Sequence, residues 1–408
     1  MGRCVLNWPE ALRADMRCGP CWARSGRLAV GREYGRSSRA EEPPQPRRTR
    51  GKAPSILPDE EGKTQAGRMA TVWQELSHFE SRDLLTDLYR RAHGGSLKPS
   101  KAYAIVASLG QGRAYFRSAE RADELGQPLL LYYGVVALSR SLTLFLSPTL
   151  GEEGLAQAHG VLAKDWLGTL GGGEASNRIR HLQDLRVGIA RGTFTDLVTA
   201  TDGLERAQIV AAQGTGLYTI ETGGQTEFGE SDELTLRDLL SRIPDLSRTY
   251  ARTFDDYSRC LETKVSYRES TDDTIFEVLE THPLGLPTPE LLRARLLLPP
   301  WLDIEEGERR SFLEPGRRLQ AFVLHHPNEA DAEGFPTVVH DAAGATYLVA
   351  QRPDEVRPSL LGSLFLTSYV MGMLVRYHPS LWFALVRSCR PVERRLHASD
   401  TSASCGRR

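Results

Sequence analysis

Lysine, cysteine and catalytic motifs are scarce in this sequence of 408 residues. Only six of its 51 cationic residues are lysine, and its six cysteines form neither a zinc-site spacing nor a disulfide framework. Gly-x-Ser-x-Gly is absent, and Gly171-Gly172-Gly173 lacks the Lys-Ser/Thr of a phosphate-binding loop. We therefore expect a protein of the reducing cytoplasm that holds no metal and no cofactor. Whether it is an enzyme stays open, because no catalytic residue stands out.

An excess of one charge is also lacking. Lysine and arginine number 51 against 52 acidic residues, a formal net charge of −1. A protein that binds nucleic acid through overall positive charge is therefore not expected, although a local patch would suffice. Most of the cationic residues are arginine. The excess of arginine over lysine is typical of a genome with GC-rich codons and favours a bacterial source. The alternative explanation for this excess is selection for bidentate contacts to phosphate or carboxylate.

The first 68 residues lack the continuous apolar run of a signal peptide. Residues 36–68 also lack any apolar periodicity. They are rich in proline, glycine and charge, and such a stretch buries too little apolar surface to fold. We predict that residues 1–68 are a disordered or non-native extension and that Met69 is the native start. The polar tail over residues 389–408 is likewise predicted to be disordered.

Apolar periodicity divides the rest of the chain into three predicted regions. Residues 69–170 should be helical, residues 171–355 a mixed region rich in strands, and residues 356–388 a C-terminal core helix. The predicted helices of the first region are Trp73–Tyr89 with a break near Ser81, Lys101–Leu109, Gln111–Leu125 and Pro128–Leu146. The predicted strands include part of Leu185–Leu204, and also Lys264–Arg268, Thr274–Leu279, Leu319–His325, Thr337–His340 and Ala345–Ala350.

The segregation of helices and strands predicts an α+β fold that is predominantly helical. The N-terminal helices and the C-terminal helix should form one helical core around a strand-rich middle. The uncharged run Pro358–Val375 has 18 residues, the lower limit for a membrane span. Its serines, glycines and the following Pro379 favour a buried core helix and no membrane, with an anchor as the weaker alternative.

Two arginines are the first candidates for a functional site. Arg140 is the only charge in an apolar helix, and a buried charge needs an acid or a phosphate nearby. Arg376 ends an apolar helix, where a cation also interacts favourably with the helix dipole. Each arginine therefore has two explanations. The structural one is an ion pair or a helix-dipole interaction within the fold, and the functional one is a shared binding site for an anion.

Four aromatic side chains complete the candidate ligand site. His159 titrates near neutral pH, although a histidine before glycine often only stabilises a turn. His378 precedes proline and should lie in an extended conformation at a helix end. Tyr132 and Tyr133 are typical of a core, but on one face they would join the arginines in a polar pocket.

Three features follow one another in the sequence after Met69. They are Gln111-Gly112 with Tyr115-Phe116-x-x-Ala119, Gln127-Pro128-Leu-Leu-Leu-Tyr132-Tyr133-Gly134 continuing to Leu138-Ser139-Arg140 with His159-Gly160 downstream, and Met373-Leu374-Val375-Arg376-Tyr377-His378-Pro379 before Trp382. Their order resembles the YaaC-like family of bacterial proteins over about Trp73 to Val386. The resemblance implies a soluble cytoplasmic bacterial protein and no particular reaction.

A second resemblance concerns the helix Leu129–Leu146 with the following Ala158-His159-Gly160. It is similar to the core helix of HEPN domains, many of which are ribonucleases with an Arg-x4–6-His motif. The pairs with that spacing, Arg318…His325 and Arg390…His397, lie in a predicted strand and in the tail. We expect a binding protein for a nucleotide, RNA or protein partner, with a ribonuclease using Arg140 and His159 as the alternative. Self-association into a homo-oligomer stays open.

Overall fold

A computed structural model describes residues 72–204, 206–211, 217–221, 227–229, 231–254, 256–269, 273–280, 288–310, 318–327, 336–342, 344–351 and 356–389. The extension predicted over residues 1–68, the predicted start at Met69 and the tail beyond Cys389 lie outside these residues. Within the described ranges the chain has the predicted α+β fold, with a predominantly helical body and sheets that are antiparallel except at one strand pair. The predicted domain boundaries stay predictions.

Three helices open the helical body, after a helical turn over residues 72–76. They are α1 (Arg82–His93), α2 (Pro99–Arg121) and α3 (Gln127–Leu146). The predicted break near Ser81 is confirmed, because that residue is extended and precedes α1. Gly94 ends α1 in the left-handed region, with φ of 66°, where glycine has no steric penalty. Proline in the first turn starts both α2 and α3, since its missing N–H is not needed there.

The middle of the chain alternates short helices and strands. In chain order they are β1 (Val161–Lys164), α4 (Trp166–Leu170), α5 (Ala175–Arg178), β2 (Arg186–Ile189), α6 (Thr193–Ala200), β3 (Arg206–Ala211), β4 (Leu217–Glu221), β5 (Glu233–Thr235), α7 (Leu236–Ser241), α8 (Ser247–Phe254), β6 (Cys260–Glu269), β7 (Asp273–Glu280), α9 (Pro289–Leu296), β8 (Asp303–Arg310), β9 (Arg318–Pro327), β10 (Thr337–His340) and β11 (Thr346–Val349). The closing helices are α10 (Leu360–Tyr377) and α11 (Pro379–Cys389).

The strands form two sheets. The small antiparallel sheet has the order β1-β2-β5 and packs its inward side chains into the main core. The large sheet runs β10-β11-β6-β7-β9-β8, and β3 joins it by pairing parallel to β6 and antiparallel to β4. Helix α9 covers the large sheet through Leu292 and Leu296, which are fully buried with Phe322 and Leu324.

Helix α10 joins these parts. Its first residue, Leu360, packs against Val339 and Val349 of the large sheet, while its later turns lie on α3. Ser359 caps the helix by accepting a hydrogen bond from the Gly362 N–H. The helix ends at Tyr377 and Pro379 starts α11, so the C-terminal core helix predicted over residues 356–388 is divided at the proline.

By length and composition, α3 and α10 could each cross a membrane. Half of the apolar stretch of α3 and 72% of that of α10 are buried inside the protein. Burial of this kind is typical of core helices, which were the favoured interpretation of both segments.

Three predicted elements were wrong in detail. Lys101–Leu109 and Gln111–Leu125 belong to one helix, α2, because packing against α3 overrides the unfavourable Gly110. The strand predicted in Leu185–Leu204 ends at Ile189, and Thr193–Ala200 is helical despite its β-branched residues. The sequence also gave no signal for β8, whose residues Asp303–Arg310 are mostly charged.

Candidate functional site

Three parts of the chain meet around a group of polar aromatic side chains. Helix α3 supplies Tyr132 and Tyr133, helix α10 supplies Tyr369 and Arg376, and the loop before β1 supplies His159. Tyr369 and Arg376 are seven residues apart, two helical turns, and so share one face of α10. We call these five residues the tyrosine–histidine–arginine cluster.

Tyr132 lies at the centre of the cluster and is 0% exposed. Its ring meets those of His159, Tyr369 and Phe365 edge to face, with centroids 5.4, 5.7 and 6.3 Å away. It also packs on Gly372 of α10, where a β-carbon would lie 2.9 Å from the Tyr132 Cβ. The hydroxyl has no hydrogen-bond partner among the described residues. Burial, with Tyr369 and Tyr133 nearby, raises the pKa of the Tyr132 hydroxyl, so it stays protonated.

The backbone around His159 is fixed by a close crossing of two glycines. Gly160 has φ of 80°, and a β-carbon on Gly192 would lie 2.1 Å from the Gly160 nitrogen. The first residues of α6 also bond to this loop, since the N–H groups of Thr193 and Phe194 donate to the carbonyls of Ala158 and His159. The position of His159 is therefore set by backbone contacts that only glycine permits at the crossing.

The imidazole of His159 is half-buried and makes no hydrogen bond within the described part of the chain. Burial and the positive charge of Arg376 both lower its pKa. The ring is consequently neutral near pH 7, with one nitrogen that donates and one that accepts. Such a ring is free to bond to a ligand.

Arg376 lies in the last turn of α10 and is exposed. Its guanidinium donates to the Tyr133 hydroxyl over 3.3 Å and lies 5.1 Å from the centre of the Tyr377 ring. None of the carboxylates in the described ranges forms an ion pair with it. The cluster therefore carries an uncompensated positive charge beside aromatic rings.

Arg140 lies on α3, seven residues beyond Tyr133, and has a different partner. Its side chain is half-buried and donates to the carbonyl of Ala156 over 3.2 Å. The N–H of Ala156 in turn donates to Asp196 over 3.0 Å. Arg140 thus holds the loop that leads to His159, and a backbone carbonyl takes the place of the acid or phosphate that we expected.

His378 follows α10 and contacts another part of the middle region. Its ring lies 6.2 Å from that of Trp166, and burial together with Arg178 lowers its pKa. Its φ of −129° and ψ of 52° lie outside the helical region, as expected before Pro379, but ψ is short of the extended conformation that we predicted. The contacts of His378 place it beside the cluster on the side of α4 and α5, and not against Tyr132.

Sequence reasoning missed two tyrosines. Tyr369 is buried in the cluster, where a backbone hydrogen bond from Ala163 partly offsets the rise in its pKa caused by burial. Tyr115 of α2 stacks on Tyr133 with the ring centres 5.6 Å apart. The spacing of Tyr369 to Arg376 was a usable signal, whereas nothing in the sequence pairs Tyr115 with Tyr133.

The described residues contain no group of three or more His, Cys, Asp or Glu side chains arranged to hold a metal ion. Cys260 is buried, and burial raises the pKa of its thiol to about 12, so it is a poor nucleophile. The chemistry of the site therefore rests on hydroxyls, one imidazole and one guanidinium.

A protein-family model described as YaaC-like Protein matches residues 75–390 of the chain, a range that contains every residue of the cluster. No curated protein and no solved structure matches the chain.

Proposed function

The chain belongs to the YaaC-like family, and we propose that it is a cytoplasmic protein that binds a nucleotide at the tyrosine–histidine–arginine cluster. The observation that carries this proposal is Arg376, an exposed guanidinium without a carboxylate partner among the described residues, set against aromatic rings. Arginine is well suited to phosphate, because its planar donors match two phosphate oxygens at once.

Aromatic surface beside the charge favours a nucleotide over a simple anion. Tyr377 is 62% exposed and carries the Arg376 guanidinium on its face. Aromatic and guanidinium planes of this kind stack on nucleobases. The overall charge of −1 favours a small nucleotide over a long RNA, because RNA binding usually draws on many phosphate contacts.

A ribonuclease of the HEPN type is the alternative, and it needs Arg140 and His159 to act together. Charged groups influence each other strongly within about 4–6 Å. The positive charge that acts on the pKa of His159 is Arg376, while Arg140 bonds to the Ala156 carbonyl. This arrangement supports binding at Arg376 over catalysis by Arg140.

Thermal melting of the full chain tests the proposal. Nucleoside monophosphates and triphosphates, and short RNAs, would each be added to the wild type, to Arg376→Gln and to Arg387→Gln. Arg387 is an exposed arginine on α11 that lies over the Phe383 ring, so its variant is a matched control. We expect a nucleotide to raise the melting temperature of the wild type and of Arg387→Gln, but not of Arg376→Gln.

Two other results would contradict nucleotide binding at the cluster. If a nucleotide raised the melting temperature of Arg376→Gln as much as that of the wild type, the binding site would lie elsewhere. If only RNA raised the melting temperature of the wild type, the ligand would be RNA. Cleavage of RNA that disappears in both Arg140→Gln and His159→Gln would establish the ribonuclease.

A further inference from the structure

The hydroxyl of Tyr132 is an unusual group to leave without a partner. It is fully buried, and no described residue accepts or donates a hydrogen bond to it. Burying a hydroxyl without a hydrogen bond is unfavourable, and such groups in proteins generally mark a bound water or ligand. The Tyr132 ring contacts those of His159, Tyr369 and Tyr133, and the Tyr133 hydroxyl accepts the hydrogen bond from Arg376.

Three donors from three parts of the chain converge there. The Tyr132 hydroxyl comes from α3, the His159 imidazole from the loop before β1, and the Arg376 guanidinium from α10. The rings of Tyr132 and His159 touch with their centres 5.4 Å apart. Arg376 donates to the hydroxyl of Tyr133, whose ring centre lies 5.7 Å from that of Tyr132. All three groups can donate a hydrogen bond at neutral pH.

We propose that Tyr132, His159 and Arg376 together hold the terminal phosphate of the ligand. This inference rests on the proposed function and specifies which part of the nucleotide enters the cluster. A terminal phosphate presents three oxygens that accept hydrogen bonds, one for each donor, whereas a carboxylate presents two in one plane. The sugar and base then lie outward, towards the exposed ring of Tyr377.

The present contacts of Arg376 do not obstruct such a ligand. Its bond to the Tyr133 hydroxyl is exposed and long, at 3.3 Å, so exchanging it for a phosphate oxygen costs little. The exchange gives the guanidinium a charged partner and gives the Tyr132 hydroxyl its missing acceptor. The backbone crossing at Gly160 and Gly192 holds His159 in place meanwhile.

Calorimetric titration of the full chain with inorganic phosphate and with a nucleoside monophosphate tests this inference. The variants are Tyr132→Phe, His159→Gln and Arg376→Gln, with Tyr103→Phe as control because Tyr103 is an exposed tyrosine on α2. We expect Tyr132→Phe to weaken both ligands about tenfold, since one hydrogen bond to a charged group is lost. We also expect its melting temperature without ligand to be no lower than that of the wild type, because the hydroxyl is unsatisfied there.

The outcomes separate this inference from the proposed function. Nucleotide binding that survives in Tyr132→Phe and His159→Gln but fails in Arg376→Gln would overturn the phosphate subsite and leave nucleotide binding standing. If a nucleoside without phosphate bound as tightly as the monophosphate, the phosphate subsite would likewise be overturned and nucleotide binding would stand. A wild type that binds neither phosphate nor nucleotide would overturn both. Loss of melting temperature in Tyr132→Phe without any change in affinity would make the hydroxyl structural.

Discussion

Arg140 and Arg376 lie on neighbouring helices and show how the partner of a residue decides its role. Arg140 donates to a backbone carbonyl in a half-buried position, so its charge is used within the fold. Arg376 contacts a tyrosine hydroxyl and a tyrosine ring and has no carboxylate partner among the described residues, so its charge is available to a ligand. The sequence treats the two alike, because each is a single charge in an apolar helix.

Replacing Arg140 should therefore affect stability and not binding. Arg140→Gln loses the bond to the Ala156 carbonyl, and we expect the free energy of unfolding to fall by about 1–2 kcal/mol. Arg117→Gln, at an exposed position on α2, should change it by less than about 0.5 kcal/mol. Urea unfolding measures the free energy of unfolding of both variants. If Arg140→Gln folds but no longer binds the nucleotide, Arg140 belongs to the ligand site instead.

The crossing of Gly160 and Gly192 is the second feature at the scale of single residues. A β-carbon on Gly192 would meet the Gly160 nitrogen at 2.1 Å and the His159 carbonyl carbon at 2.7 Å, so backbone must move. We expect Gly192→Ala to destabilise the protein by about 3 kcal/mol and to displace His159. Gly307→Ala is the control, because no atom lies within 4 Å of its added carbon. Urea unfolding would measure the loss of stability, and the proton resonance of His159 would report its displacement. A Gly192→Ala protein with the wild-type free energy of unfolding and the wild-type His159 resonance would contradict both expectations.

At the scale of helices, small residues allow α2, α3 and α10 to approach closely. Added β-carbons on Gly112 and Gly134 would clash with Leu138 and Phe116, and one on Gly372 would clash with Tyr132. Close helix packing brings the aromatic residues of α3 against α10 and so builds the cluster. The glycines within these helices are consequently part of the site as well as of the fold.

Two glycine substitutions should have opposite effects on stability. Gly134→Ala places a carbon 2.8 Å from the Phe116 ring, and we expect a loss of about 1–3 kcal/mol. Gly110→Ala fills open space on the exposed side of α2, and we expect a gain of about 0.5–1 kcal/mol from better helix propensity. Chemical unfolding of both variants tests this, and a stabilised Gly134→Ala would show that the helices can separate without cost.

The elements that the sequence predicted best are those with strong apolar periodicity. Helix α3, strand β10 and the break at Pro379 all follow from local pattern. Helix α6 and strand β8 do not, because α6 contains β-branched residues and β8 is charged along most of its length. Their structure is decided by neighbouring elements, namely the loop at Ala158 for α6 and the long pairing with β9 for β8.

The candidate site was predictable in its helical part only. Tyr132, Tyr133 and Arg376 lie on helices whose faces follow from residue spacing. The position of His159 depends on the glycine crossing and the start of α6, which are contacts between segments about 30 residues apart. The local sequence carries no information about such a contact, so the free imidazole of His159 does not follow from it.

At the scale of the whole molecule, burial of histidines links stability to pH. The pKa values of His93, His159, His340 and His378 are all lowered, with burial as the largest cause in each case. In the unfolded chain each would titrate near its usual pKa of about 6.5. Between the lowered and the usual values, the unfolded chain therefore binds more protons than the folded chain.

Stability should consequently fall as the pH falls below about 6.5. The sign follows from linkage, because the free energy of unfolding rises with pH wherever the unfolded state binds more protons. The partly exposed His93, His159 and His378 are discounted for solvent screening, which leaves mainly His340. One extra proton on the unfolded chain gives a slope of about 1.4 kcal/mol per pH unit. Urea unfolding between pH 7.5 and pH 5.5 would measure this slope before most carboxylates titrate.

Variants assign the slope to particular histidines and connect it to the ligand. His340→Gln removes a half-buried ring on β10, so the free energy of unfolding of this variant should fall less steeply with acid than that of the wild type. A bound phosphate acts on His159 alone among the four, because a negative charge offsets burial and Arg376 and so raises the pKa of that ring. Phosphate should therefore flatten the acid slope of the wild type and leave that of His159→Gln unchanged. An equal effect of phosphate on both proteins would mean that the anion binds elsewhere on the molecule.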